Sequence, residues 1–256
     1  MPSIFDFPDI YDAVLRSPLS QIEAETRSVR KLLADRGIEG GRLLEIACGT
    51  CTHGILLAGQ GFDVAGIDLS PNMVDAAASR GAAAGVSLDV FQGDITDFEL
   101  DTDPFDAAIF MAETFPIITE YEAIASHFGC VRRALRPGGV YIVDIDAHRA
   151  GVRESYGVWG ERTVQVGDTR VEIWHEDFPG DFVGGVSRLV MHCRIHDDGD
   201  VHETRDDWHI RQYNPWHLSV LVRTLGGWRL SGFYSRGDAS PDIADEPGFL
   251  LTLEAV

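Results

Sequence analysis

The residues best suited to chemistry begin in the stretch from Arg42 to Gly54, RLLEIACGTCTHG. Its apolar half predicts a β-strand, and the small residues that follow predict a turn that opens a helix. Such a turn lets the backbone bend sharply and brings a ligand close to the first amide groups of the helix. About twenty residues later, a second apolar strand ends in Asp68, at the spacing of a carboxylate that binds the hydroxyls of a ribose. The pattern predicts a nucleoside-containing ligand at the carboxyl ends of a parallel sheet.

The side chains of the same loop indicate which class of nucleoside-containing ligand can bind. The dinucleotide fingerprint Gly-x-Gly-x-x-Gly can be laid on residues 49–54, but Cys51 stands where the middle glycine is required. That glycine lets a pyrophosphate lie against bare backbone, so we expect the Cys51 side chain to obstruct it. S-adenosylmethionine carries no phosphate, so a loop that binds it can tolerate a small side chain at this position. A nicotinamide-dependent oxidoreductase on a related sheet is the alternative.

Five segments extend this pattern in order along the chain. They are EIACGTC at 45–51, GIDLSPNMVDAA at 66–77, QGDITDF at 92–98, FDAAIFM at 105–111 and LRPGGVYIVD at 135–144. Together they resemble the signature segments of class I S-adenosylmethionine-dependent methyltransferases, over roughly Leu43 to Asp146. The resemblance implies S-adenosylmethionine as cofactor and S-adenosylhomocysteine as product. The chain departs from the common acid-x-Gly-x-Gly-x-Gly pattern at Ala47 and Cys51.

The resemblance also implies a set of cofactor-binding residues. Asp68 would bind the ribose, Asp94 would accept a hydrogen bond from the adenine amino group, and Ile95 would stack on the ring; Asp97 is the alternative acid. Tyr11 lies in a leading segment that we expect to close over the cofactor near its methionine carboxylate. The remaining predicted contacts are Glu45, Ala47, Gly49, Cys51, Leu69, Met73 and Met111, of which Met73 is nearly as well suited to the core.

Candidate catalytic residues follow the fourth and fifth predicted strands. Glu113 comes where the transferred methyl and the acceptor should meet, and an acid there could hold an ammonium-bearing acceptor or take its proton. His148 stands just past the fifth strand, where catalytic groups gather in this architecture. A solvated acid and a buried structural histidine are the alternatives. We expect methyl transfer to a nitrogen or oxygen of a small molecule, with nitrogen favoured; the rival is a protein that binds S-adenosylmethionine without methylating.

The elements that must position these residues follow an α/β pattern. We predict a doubly wound, seven-stranded, Rossmann-like sheet, with residues 1–151 and 214–256 forming the cofactor-binding domain. Residues 152–213 read as antiparallel strands with turns at 167–168, 184–185 and 198–199, which predicts a β lid inserted after the fifth strand. The architecture resembles amino-sugar and glycine N-methyltransferase-like enzymes, in which such a lid walls the acceptor pocket.

Two helices carry further expectations. Ser20 and Glu23 form a capping-box pattern that predicts a helix start at Ser20. His127 and Cys130 lie on a helix predicted over 121–136, where we expect them to face solvent or pack without a role.

Composition limits the partners. The net charge is −20 and Lys31 is the only lysine, which disfavours nucleic acid and anionic membrane surfaces because both are bound through cations. We therefore expect a small-molecule acceptor, and a homodimer stays open. The acidic start MPSIFDFPDIYD has neither a basic region nor a long apolar run, so we expect a cytoplasmic protein.

No metal is expected. The pattern Cys48-x-x-Cys51-x-His53 lacks a nearby second pair of ligands. Six of the nine histidines fall between His175 and His217, but none of their spacings forces shared coordination.

Overall fold

The structure, a computed structural model, describes residues 2–146, 157–181, 184–243 and 248–256. Within them the strands of the larger sheet are β1 (Gly41–Ile46), β2 (Phe62–Asp68), β3 (Leu88–Gln92), β4 (Phe105–Phe110), β5 (Leu135–Asp146), β10 (Trp228–Ser235) and β11 (Gly248–Ala255). They lie in the order β10–β11–β5–β4–β1–β2–β3. The first five pair in parallel, and β11 is antiparallel to both of its neighbours. The predicted seven-stranded α/β fold is confirmed.

Six α-helices flank the two sheets of the described chain, and several begin where local signals place them. Ser70 and Asn214 accept hydrogen bonds from the third residues of their helices, and a proline follows each of them. The predicted start at Ser20 is wrong, because the helix begins one residue earlier without a side-chain cap. The helices are α1 (Pro8–Val14), α2 (Leu19–Ala34), α3 (Thr52–Ala58), α4 (Pro71–Ala83), α5 (Tyr121–Ala134) and α6 (Pro215–Leu225).

The second sheet is the inserted antiparallel element that the sequence predicted. Its strands β6 (Gly157–Val166), β7 (Thr169–Asp181), β8 (Val186–Asp197) and β9 (Asp200–Arg211) pair in chain order. Gly167, Gly185 and Gly199 stand in the three turns with positive φ, a conformation that glycine adopts without steric cost. We call β6–β9 the lid sheet.

The N-terminal segment joins the lid sheet to the larger sheet. Asp206 on β9 accepts hydrogen bonds from the Ser3 hydroxyl and, at 3.0 Å, from the Ile4 amide. On the other side, the Ser70 hydroxyl donates to the Phe5 carbonyl at 3.1 Å. Apolar side chains of residues 4–14 also form one buried cluster with β7 and β8. Residues 3–14 therefore bridge the two sheets.

The central strands are apolar on both faces, as expected for a parallel sheet covered by helices on each side. One face packs against α2, α3 and α4, and the other packs against α5 and α6. This arrangement leaves the carboxyl ends of the parallel strands as the place for a ligand. No helix within the described residues is both long and apolar enough to cross a membrane.

Candidate functional site

A cavity of about 960 Å³ lies between the carboxyl ends of the parallel strands and the lid sheet. The ends of the parallel strands and their loops supply Asp68 and Asp94, the lid sheet supplies His175 and Leu189, and the N-terminal segment supplies Tyr11. Its volume is at the upper end of the range for small-molecule sites. A ligand in this cavity would contact all three parts of the fold.

The loop between β1 and α3 supplies part of the cavity wall. Ala47, Gly49 and Cys51 all have left-handed backbone conformations, with φ of 48°, 51° and 57°. The Gly49 amide donates to Asp68 Oδ2 at 2.8 Å, and a Cβ atom on Gly49 would lie 3.9 Å from the ring of Tyr11. The loop backbone is therefore enclosed between Asp68 and Tyr11, as a close-approach loop requires.

Cys51 does not reach the cavity, so the expectations that its side chain obstructs a pyrophosphate and contacts the cofactor are wrong. Its thiol is fully buried and donates to Glu45 Oε2 at 3.1 Å, and Cys51 is absent from the described residues that line the cavity. A pyrophosphate is disfavoured by charge instead. Arg16 is the single arginine or lysine among the described lining residues, and it already pairs with Asp12 at 3.2 Å.

Glu45 holds the start of α3. Besides the Cys51 thiol, its Oε2 accepts the Gly54 amide at 2.7 Å, and its other oxygen lies 3.7 Å from His53 Nδ1. Burial raises the pKa of Glu45 although His53 opposes the shift. Glu45 also lines the cavity, and its predicted contact with the cofactor stays a prediction.

His53 lies between two buried acids. Its Nε2 is 3.0 Å from Glu25 Oε2 on α2. Burial lowers the pKa of His53, but the hydrogen bond to Glu25 and the charge of Glu45 outweigh burial, and the pKa is raised. At Glu25 burial acts in the opposite direction and raises the pKa, but hydrogen bonds from His53 and Gln21 lower it by more. No sequence pattern predicted this pair, which joins α2 to the start of α3.

Asp68 lies where the sequence placed it, at the end of β2 and on the cavity wall. Its two oxygens accept the Gly49 and Ser70 amides at 2.8 and 2.9 Å. Burial raises its pKa by more than these amides lower it. Each carboxylate oxygen has a second lone pair, so Asp68 could also accept from two ribose hydroxyls.

The loop after β3 also supplies predicted residues to the cavity wall, and their contact with an adenine stays a prediction. Asp94 and Ile95 line the cavity, as does Leu69, whereas the alternative acid Asp97 does not. Asp94 Oδ1 accepts the Thr96 amide and hydroxyl at 2.8 and 2.7 Å, which fixes the loop.

Met73 belongs to the core rather than to the cavity. Its side chain is fully buried and it is not a lining residue. Its placement against the adenine is therefore wrong, because the side chain has no exposed surface that a ligand could contact.

Two side chains of helix α5 hydrogen-bond to the main chain of the loop after β3. The expectation that His127 and Cys130 have no role is therefore wrong. Burial lowers the pKa of His127 to about 4, so the ring is neutral and its Nδ1–H donates to the Ile95 carbonyl at 2.8 Å. The Tyr141 hydroxyl then donates to Nε2 at 2.7 Å. The Cys130 thiol accepts the Phe98 amide at 3.4 Å.

The loop after β4 contains two successive non-glycine residues with left-handed backbones, Ala112 at φ 59° and Glu113 at φ 57°. Such conformations are costly and concentrate at functional sites. Both residues line the cavity, as does Met111. The Glu113 carboxylate is half-exposed and pairs with Arg236. Glu113 is thus at the cavity as predicted, while the other predicted base, His148, lies outside the described residues.

Asp144 is a site residue that the sequence reading did not select. It lies near the carboxyl end of β5, lines the cavity and is 1% exposed. Its Oδ2 accepts the Glu113 amide at 3.1 Å, and its Oδ1 lies 2.5 Å from Arg236 Nε. Burial raises its pKa to about 7; Arg236 opposes the rise, while Glu113 and Glu25 add to it.

The lid sheet forms an apolar and aromatic wall opposite these acids. Leu189, Trp208 and Ile210 line the cavity with His175, whose ring stacks on Trp159 at 4.6 Å. The cavity therefore faces an apolar surface on one side and carboxylates on the other. Within the described residues, no group of three or more His, Cys, Asp or Glu side chains is arranged to hold a metal ion.

Residues 43–139 match the family model described as "Methyltransferase domain". The matched segment covers less than half of the chain. It contains the β1–α3 loop, Asp68 and Asp94, together with Glu113 on the loop after β4.

Known proteins extend the likeness beyond this segment. The dTDP-3-amino-3,4,6-trideoxy-alpha-D-glucopyranose N,N-dimethyltransferase of Streptomyces venezuelae is 30% identical over 139 residues, covering 54% of this chain and 56% of that protein. The glycine/sarcosine N-methyltransferase of Parasynechococcus marenigrum (strain WH8102) is 29% identical over 204 residues, covering 73% and 69%. For four curated relatives, the matched region spans about half of the relative's length.

A solved structure supports the fold as a whole. The S-adenosylmethionine-dependent methyltransferase from Clostridium acetobutylicum ATCC 824 superposes with a TM-score of 0.78 at 16% identity, over 96% of each chain. The likeness therefore includes the lid sheet as well as the larger sheet.

Proposed function

We propose that this chain is an S-adenosylmethionine-dependent methyltransferase that methylates a nitrogen of a small-molecule acceptor. One observation carries the proposal: a single cavity is lined by Asp68 and Asp94 beside the ends of β2 and β3, which we call the cofactor end, and by Glu113 and Asp144 beside the ends of β4 and β5, which we call the acceptor end. The lid sheet supplies a further wall. A nucleoside and an acceptor could occupy the cavity side by side. The two relatives described above are N-methyltransferases by name, which supports nitrogen as the acceptor atom.

The described residues fit the cofactor by charge and by hydrogen bonding. When bound, S-adenosylmethionine supplies an electrophilic methyl group on a positively charged sulfur. Asp68 and Asp94 would hold its nucleoside, and Ala47, Gly49 and Met111 would contact it. Burial, with the charges of nearby acids, raises the pKa of Tyr11 to about 12, so its hydroxyl stays protonated and can donate to the methionine carboxylate. The acidic lining suits a cation and opposes a diphosphate.

The protein's own task is to hold the acceptor lone pair on axis in a dry site. We assign that task to the lid sheet, within the predicted insertion 152–213, and to the loop after β4. Glu113 and His148 stay candidates for the catalytic base, the latter from sequence alone. A homodimer and a cytoplasmic location stay predictions, and the net charge of −20 supports a small molecule over nucleic acid as partner.

The test begins with cofactor choice. We expect S-adenosylhomocysteine to raise the melting temperature of the purified protein and NAD to leave it unchanged. Dialysed protein with S-adenosylmethionine is then incubated with dTDP-amino sugars, glycine, sarcosine and a panel of simple amines, and methylated products are measured by mass spectrometry.

Two outcomes would contradict the proposal. Stabilisation by NAD without stabilisation by S-adenosylhomocysteine would favour an oxidoreductase. Binding of S-adenosylhomocysteine with no methylated product across the whole panel would favour the cofactor-binding alternative.

A further inference from the structure

We infer that Asp144 accepts the proton from the ammonium form of an amine acceptor, while Arg236 and Glu113 position its carboxylate. The inference rests on the proposed methyl transfer to nitrogen, and it adds the residue that prepares the acceptor and the class of acceptor that needs it. The acceptor class is a primary or secondary amine that is protonated in water.

The location of Asp144 follows from the register of the sheet. Phe110 on β4 is paired with Val143 on β5, so Met111 and Asp144 stand side by side where the two strands end. The hydrogen bond from the Glu113 amide to Asp144 fixes this proximity at 3.1 Å. Asp144 therefore lines the cavity at the point where the loop after β4 meets it.

The carboxylate of Asp144 is held in one orientation. Arg236 Nε lies 2.5 Å from Oδ1, and the same guanidinium donates through Nη2 to the Ile145 carbonyl at 2.8 Å. Arg236 also pairs with the Glu113 carboxylate. Each oxygen of Asp144 contacts one protein donor and has a second lone pair that can accept a further hydrogen.

The charges around Asp144 come from four elements. Arg236 approaches from the end of β10 and favours the ionised form, whereas Glu113 from the loop after β4 and Glu25 from α2 oppose it. His53 on α3 also interacts with Asp144 electrostatically. Together with burial, these groups hold the pKa near 7, and a general base works best when its pKa lies near the operating pH. Glu113 is half-exposed and paired, so it is less suited to the same task.

The proton transfer balances simply. An N–H bond of the ammonium breaks and its electron pair stays on nitrogen as the lone pair that methylation requires. An O–H bond forms on Asp144, which becomes neutral and later releases the proton to water. An alcohol acceptor would gain little, because a carboxylate with a pKa near 7 is a weak base toward a hydroxyl.

The first test measures binding without turnover. Benzylammonium chloride and benzyl alcohol have matched shapes that suit the lid-sheet wall, but only the first is charged. In calorimetric titrations at pH 8 with saturating S-adenosylhomocysteine, we expect wild type to bind benzylammonium at least tenfold more tightly than benzyl alcohol. Asp144→Asn should lose this preference and still bind S-adenosylhomocysteine. Glu122→Gln, which removes an exposed charge outside the cavity, should keep it.

The binding test separates this inference from the proposed function. If wild type binds S-adenosylhomocysteine but shows no preference for benzylammonium, or if Asp144→Asn keeps that preference, the inference is overturned and methyl transfer still stands. If S-adenosylhomocysteine itself does not bind, the proposed function fails first.

The second test uses pH dependence with an amine acceptor taken from the screen. The kcat/KM should decrease as the pH is lowered through about 7, the pKa of Asp144, because the carboxylate must be ionised to accept the proton. We call this decrease the acid limb. Asp144→Asn should remove this acid limb and lower kcat by about 100-fold or more, and Asp144→Glu should restore part of the rate. Arg236→Gln should move the limb to higher pH, because it removes the cation that favours the carboxylate. An unchanged limb in folded Asp144→Asn or in Arg236→Gln would overturn the inference.

Discussion

The two ends of the cavity are built from different interactions. At the cofactor end, Asp68 and Glu45 accept hydrogen bonds from main-chain amides of the loops beside them. At the acceptor end, Asp144 accepts one main-chain amide, that of Glu113, but both carboxylates pair with the guanidinium of Arg236. Main-chain donors stay in place when nearby side chains are exchanged. A side-chain ion pair changes with each substitution and with pH, so chemistry at the acceptor end can be tuned while the cofactor end stays constant.

The largest effect on this comparison should come from Asp68→Ala. Two charge-assisted hydrogen bonds to a ribose are worth about 3 kcal/mol together, so affinity for S-adenosylhomocysteine should fall about 100-fold. Isothermal titration calorimetry measures it, with Asp97→Asn as the matched control that should stay within the error of wild type. Equal affinities of Asp68→Ala and wild type would show that the cofactor end is not built on this carboxylate.

His53→Gln should affect stability in a pH-dependent way. The raised pKa of His53 means that its contribution is fully present below the ordinary histidine value and is lost as pH rises through the raised value. The lowered pKa of Glu25 means that its contribution is lost only at acid pH, below the ordinary glutamate range. Removing the charged imidazole of His53 should therefore lower the free energy of unfolding by about 2 kcal/mol near pH 5.5 and by less near pH 9.5. Urea unfolding at both pH values measures this; equal losses would contradict the assignment.

His127→Phe should loosen the Asp94–Ile95 loop. It leaves the Ile95 carbonyl and the Tyr141 hydroxyl without their partner. Ordering the loop around a bound nucleoside should then cost about 1.4 kcal/mol more, which would weaken S-adenosylhomocysteine binding about tenfold. Because His127 is neutral with a pKa of about 4, the effect should be the same at pH 6 and pH 9. A strong dependence on pH across that range would disprove the neutral assignment.

The smallest effect is expected from Cys51→Gly. The thiol faces Glu45 rather than the cavity, so removing it should not admit a dinucleotide. NAD should still fail to raise the melting temperature, and S-adenosylhomocysteine should still do so. If NAD stabilised this variant, obstruction by the Cys51 side chain, and not the charge of the cavity lining, would explain why a dinucleotide is excluded.

The sequence could predict the cofactor end because main-chain sites leave local patterns. Small residues at set spacing specify the bend after β1, and the acid at the end of β2 follows at a fixed distance. The pattern specifies where the backbone goes but not the side to which each side chain turns. That is why Asp68 and Asp94 line the cavity, while Cys51 and Met73 proved to be core residues.

The acceptor end left no comparable pattern. Asp144 and Arg236 lie far apart in the chain and meet only because β5 and β10 both flank β11. His127 had a weak signal, since it falls at helical spacing between the apolar Ile124 and Val131, a position that predicts burial. The lid strands were predictable from alternation and glycine turns, but their cavity-facing side was not.

The paired left-handed residues after β4 limit how the pocket can be redesigned. Asparagine, aspartate and glycine accept that backbone shape, whereas β-branched side chains do so only with strain. Valine, isoleucine or threonine at positions 112 and 113 would therefore strain this loop. Leu189 and Ile210 stand on regular strands of the lid sheet, and they offer room to alter acceptor preference without disturbing the bend.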